Sequence, residues 1–113
     1  MPTAYKVLGQ SNPSATTNTS LYTVPSSSTS TVVSTMTVCN QASTAGTFRI
    51  AVRPAGASIA NSQYIAYDTP IAANDTIALT LGVTLNFTSA GDIITVYASS
   101  ANMSFSAFGS EIS

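Results

Sequence analysis

Apolar and polar residues alternate with a period of two along most of this chain, in short runs separated by turn residues. That spacing puts successive side chains on opposite faces of an extended strand. It predicts strands at 4–9, 19–24, 31–40, 47–53, 63–68, 75–81, 83–87, 93–98 and 103–108. The cleanest case is 47–53, where Phe48, Ile50 and Val52 point one way and Thr47, Arg49, Ala51 and Arg53 the other. In 31–40, Val32, Met36 and Val38 share one face and Val33 and Cys39 the other, as in a central strand covered on both sides. Ile77, Leu79 and Leu81 face the core, Gly82 interrupts the strand, and Val83, Leu85 and Phe87 resume the alternation. The predicted core comprises Phe48, Ile50, Val52, Ile77, Leu79, Val96 and Phe105.

Turn chemistry separates the strands: the Ser/Thr/Asn/Pro stretch at 10–18, Pro25 and the serines after it, Pro54-Ala55-Gly56, and Ala90-Gly91-Asp92. Residues 57–61 fit either one helical turn or an irregular crossing. No run of ten residues carries a helical period, and no internal repeat is visible. Seven to nine short strands in 113 residues predict one all-β domain spanning 1–113, an antiparallel β-sandwich. Its order is either immunoglobulin-like or that of a jelly roll.

Composition narrows the chemistry. Only 6% of residues are charged, where roughly a quarter is usual, and the formal net charge is −1. There is no His or Trp, and 35 residues are Ser or Thr. Three basic residues, Lys6, Arg49 and Arg53, are too few to neutralise a nucleic-acid backbone, so no nucleic-acid partner is expected. Weak net charge opposes self-association little, which suits a subunit packing against its own copies. No basic patch precedes an apolar run and no apolar stretch is long enough to span a bilayer, so neither a secretory leader nor a membrane partner is expected.

Catalysis lacks its parts. Cys39, the one cysteine, reads as a small buried hydrophobe and has no His to activate it. Serines have no His–Asp relay. Asp68, Asp75, Asp92 and Glu111 are scattered, and each Asp sits at a strand end or turn. Neither paired carboxylates nor a calcium loop results, and no metal or cofactor is expected. Arg49 and Arg53 share the outward face of one strand, roughly 13 Å apart, too far to clamp one anion together. They are candidate contacts to a neighbouring subunit, or else solvated charges. The five tyrosines, Tyr5, Tyr22, Tyr64, Tyr67 and Tyr97, could stack on sugars or a partner, or edge the core with their hydroxyls in water.

Six segments carry a family resemblance: 5–10 (Tyr-Lys-Val-Leu-Gly-Gln), 21–25 (Leu-Tyr-Thr-Val-Pro), 33–40 (Val-Ser-Thr-Met-Thr-Val-Cys-Asn), 48–56 (Phe-Arg-Ile-Ala-Val-Arg-Pro-Ala-Gly), 63–68 (Gln-Tyr-Ile-Ala-Tyr-Asp) and 108–112 (Phe-Gly-Ser-Glu-Ile). They are spread along nearly the whole chain, which resembles small virion structural proteins of tailed bacteriophages, notably those of cyanobacterial phages. These are framework positions: Pro25 and Gly56 as turn formers, Tyr22 and Phe48 as core fillers. The resemblance implies a non-enzymatic, oligomeric particle component, assembled in the host cytoplasm and partnered by other virion proteins and its own copies. The expected place is the virion exterior, on tail, baseplate or fibre. Decoration of the capsid and a carbohydrate-binding host-adhesion module are the alternatives.

Overall fold

The computed structural model describes residues 3–80 and 82–113. The expected core position Leu81 lies outside them. Among the described residues the chain forms nine strands: β1 (Thr3–Ser11), β2 (Thr19–Thr23), β3 (Ser30–Asn40), β4 (Gly46–Arg53), β5 (Tyr64–Ile71), β6 (Thr76–Leu79), β7 (Val83–Leu85), β8 (Ile93–Ala98) and β9 (Met103–Ile112). The helical elements among those residues are single 3₁₀ turns at Pro54–Gly56 and Asn61–Gln63.

Pairing is antiparallel throughout. One sheet runs β1-β9-β3-β6, with β7 also on β3, and the other runs β2-β8-β4-β5. β6 lies along Met36–Cys39 and β7 along Thr31–Val33, so the break at Gly82 leaves both pieces on the same neighbour. The pairs nest: β1 with β9, β2 with β8, β3 with β6 and β7, and β4 with β5. They alternate between sheets as the nested ribbon rolls up. This is a jelly-roll order and not an immunoglobulin-like one.

The core fills the space between the sheets. Phe48, Ile50, Val96 and Phe105 are fully buried, as the alternation predicts, and Tyr22 is buried with them. Val52, Ile77 and Leu79 are only partly buried and pack against the core's margin. For Ile77 and Leu79 the reason is position, since β6 is an edge strand. Phe48 of β4 and Phe105 of β9 meet across the sheets edge to face, ring centroids 6.2 Å apart.

β3 departs from strict alternation. Thr31 and Val33 are buried, then Met36, Val38 and Asn40, so the phase changes between Val33 and Thr35. A bulge there lets β3 carry one residue more than β9. The exposed Ser34 hydroxyl donates to the Phe108 carbonyl at 3.2 Å. Val33 thereby joins Met36 and Val38 in the core, while Val32 and Cys39 are half-buried. Cys39, on the face turned away from Met36 and Val38, is not the buried hydrophobe expected of a strand covered on both sides, because the outer face of β3 is only half covered. Asn40 is buried with both ends of its amide used, donating to the Thr44 and Ala72 carbonyls and accepting from the Ala42 N–H.

Candidate functional site

Arg49 stands on the outer face of the second sheet, as predicted, but it is not a solvated charge. β4 places it directly opposite Tyr97 of β8. On its other side β5 carries two bulges, one on either side of the Ile50–Ala66 pair. Asp68 there adopts a left-handed backbone, φ 48°, which Asp tolerates better than most residues. A regular strand would send Tyr64 and Tyr67, three residues apart, to opposite faces. The bulges let the two rings meet edge to face, centroids 4.8 Å apart.

The guanidinium carbon of Arg49 lies 4.2 Å from the Tyr67 ring centre and 4.4 Å from that of Tyr97, a cation held by two aromatic rings. Its Nε donates to Asp68 Oδ1 at 2.7 Å and Nη2 to Oδ2 at 3.3 Å, a two-pronged ion pair. That bond, ahead of the nearby rings, raises the guanidinium pKa still further and fixes its charge. Tyr67 is 55% exposed, and an open groove of about 450 Å³ lies against Asn61, Tyr64 and Tyr67.

Arg53 is also engaged. Its Nε donates to the Ala57 carbonyl at 2.7 Å and its Nη2 to that of Gly56 at 3.3 Å, pinning the 54–63 connection. Asp92 supports the same connection: Oδ1 accepts from the Ala55 N–H at 2.8 Å and Oδ2 from the Asn86 N–H at 3.0 Å. Ala55 and Gly56 are both left-handed, φ 51° and 67°. A turn was legible in Pro54-Ala55-Gly56; the distant carboxylate that holds it was not.

A second polar group ties the sheets together. The Tyr22 hydroxyl, from β2, meets Thr31 Oγ1 at 2.8 Å and donates to Glu111 Oε2, both on the opposing sheet. Lys6 Nζ completes the group, 3.0 Å from Glu111 Oε1. Burial, reinforced by the Glu111 bond, pushes the Tyr22 phenol up to about 12. The hydrogen bond from Tyr22, then that from Lys6, lowers the Glu111 carboxyl below its usual range.

Two limbs of pH dependence follow. Folding favours the Glu111 carboxylate, so that contribution is full above the usual glutamate pKa and is lost as pH falls through the lowered folded value. Folding favours the neutral Tyr22 phenol, so that contribution is full below pH 10 and is lost as pH rises to about 12. Thermal melts across both ranges check this: Tyr22→Phe should flatten the alkaline limb and weaken the acid one, and Glu111→Gln should remove the acid one. Parallel profiles for parent and Tyr22→Phe contradict it.

Asp75 accepts from the Thr76 N–H at 2.9 Å, at the entry to β6. Among the described residues no three His, Cys, Asp or Glu side chains gather as a metal would require. The arrangement that sequence reasoning missed is the pair of rings, Tyr67 and Tyr97, around Arg49, with Tyr64 packed on Tyr67. The Tyr-x-x-Tyr-Asp spacing in 64–68 is its one visible trace.

No family model matches the chain, and no curated protein matches it in sequence. Among solved structures, the chain is similar to one in a structure of infectious bursal disease virus, Gx strain, with TM-score 0.51 and 11% identity. The likeness covers 97% of this chain and 30% of that one. At this identity it is a likeness of fold.

Proposed function

We propose that this chain is a non-enzymatic structural subunit on the exterior of a tailed-phage particle, present in many copies. The observation that carries the reading is the jelly-roll order itself, matched along 97% of the chain to a chain in a virus structure. Jelly rolls recur in viral capsid and lectin domains. Low charge and the lack of activatable nucleophiles agree with a protein that works through shape.

Assembly runs through β1. It is a nine-residue edge strand whose first five residues are all exposed. Tyr5 is 87% and Val7 51% exposed, and the one charge, Lys6, is tied to Glu111. Such an edge is open to another strand. β5, by contrast, guards its edge with Pro70 and two bulges. We place the seam at β1 and not at Arg49 and Arg53, whose guanidinium groups are engaged within the chain.

The Ser/Thr/Tyr-rich surface favours a place on tail, baseplate or fibre. Decoration of the head is the second reading, favoured by the recurrence of this fold in capsids. Gold-labelled antibodies against the chain, applied to purified particles of the phage that encodes it, separate the two. Label on the tail is expected, and label spread over the head selects decoration. Particles that neither take label nor contain the chain would end the reading.

A further inference from the structure

We propose that the outer face of the second sheet binds a neutral oligosaccharide, in the groove bounded by Asn61, Tyr64 and Tyr67 and beside the Arg49–Asp68 pair. The proposal stands on this face and does not depend on where in a particle the subunit sits.

The groove's volume, about 450 Å³, falls within the range of small-ligand sites. Two of its walls are tyrosines. A sugar ring offers such a wall a patch of C–H groups for the aromatic body and hydroxyls for the phenol tip. The ion pair, which stacks on Tyr67 at the groove's margin, supplies directed polar contacts there. Each Asp68 carboxylate oxygen accepts one N–H from Arg49 and keeps capacity for another donor, and the Asp68 side chain is 47% exposed. Arg49 uses two N–H groups on Asp68 and has others to give. Acceptors and donors side by side match vicinal hydroxyls, each of which both donates and accepts.

Charge selects a neutral ligand. Asp68 compensates Arg49, the Arg53 guanidinium is turned onto the Ala57 and Gly56 carbonyls, and the groove's own lining, Asn61, Tyr64 and Tyr67, offers no cation to a phosphate, sulfate or uronate. The site is also held before any ligand arrives. Tyr97, Tyr67 and Asp68 clamp Arg49 from three sides, which lowers the ordering cost of binding.

The test is an amide-resolved NMR titration of the purified chain at millimolar maltohexaose, cellohexaose and chitohexaose, with a heparin-derived hexasaccharide as the anionic probe. Shifts centred on 61–68 are expected with at least one neutral probe. Tyr67→Ala should raise Kd by about tenfold or more, and Asp68→Asn by a smaller factor. Asn tolerates the left-handed backbone at 68, so Asp68→Asn keeps the test available if Tyr67→Ala disturbs β5. The proposal is overturned by silence with all the neutral probes, by shifts elsewhere, by tighter binding of the heparin fragment, or by parental affinity in both variants.

Discussion

Phe48→Ala is expected to cost about 3–5 kcal/mol of stability. A chain of this length has only about 5–15 kcal/mol in total. Phe48 is completely buried and belongs to β4, an interior strand of the second sheet, where it faces Phe105 across the sandwich. Its neighbours in register are Ala98 and Thr69, small side chains that cannot swing in to fill the void. The loss therefore combines transfer of the ring to water with a cavity that stays open. At on the order of 4 °C per kcal/mol, the melting temperature should fall by roughly 12–20 °C. Phe48→Leu, which keeps most of the volume, should lose far less and gives a folded reference if the alanine variant does not fold. Leu79→Ala should cost less than half as much as Phe48→Ala, because Leu79 is only partly buried, on edge strand β6. A Phe48→Ala melt within a degree or two of the parent would place the centre of the core elsewhere.

The contrast between Phe48 and Leu79 shows what a period of two conveys. Alternation reports which side of a strand is inward, and Phe48, Ile50, Val96 and Phe105 are all read correctly from it. It does not report how far a strand lies from the sheet's middle, so Ile77 and Leu79 look as central as Phe48. Nor does it survive a bulge. One extra residue at Ser34 put Val33 in the core in place of Val32, because phase is counted residue by residue. The choice between jelly-roll and immunoglobulin-like order lay in pairings of strands far apart in sequence, such as β1 with β9, which local pattern does not encode.

The candidate site was hidden for the same reasons. Arg49 was legible as an outward residue because its neighbours alternate cleanly. Its partners were not, since Tyr97 reaches it through register with β8, and Tyr67 and Asp68 through bulges in β5. The Tyr22–Glu111 bond likewise joins residues 89 apart in sequence. In a chain with four acidic and three basic side chains, two ion pairs already engage two of each, Lys6 with Glu111 and Arg49 with Asp68. Exposed ion pairs of this kind add little stability by themselves. Their effect is positional: one orients the acceptor of the Tyr22 bond between the sheets, and the other fixes the rim of the groove.

Gly109→Ala is expected to be nearly as damaging as loss of the Phe48 ring, although it adds a single methyl group. β9 is an interior strand with β1 on one side and β3 on the other; the β3 bulge falls between the partners of Gly109 and Phe108, and the β1 bulge between those of Phe108 and Ala107. A Cβ at Gly109 would run into the Val32 carbonyl oxygen and lie 3.0 Å from the Val33 Cα. Those atoms are backbone, so no side-chain rotation relieves the clash, and β3 and β9 must part. Overpacking alone typically costs about 1–3 kcal/mol, and each ladder hydrogen bond lost adds about 1 kcal/mol. The sum is about 3 kcal/mol or more. Gly82→Ala is the control: Gly82 has a left-handed φ of 61° but open space where the Cβ would stand, so only the backbone penalty of about 1–2 kcal/mol applies. Urea unfolding of the two variants separates crowding from conformational strain. If Gly109→Ala unfolds no earlier than Gly82→Ala, the close approach of β9 to β3 is not what Gly109 serves.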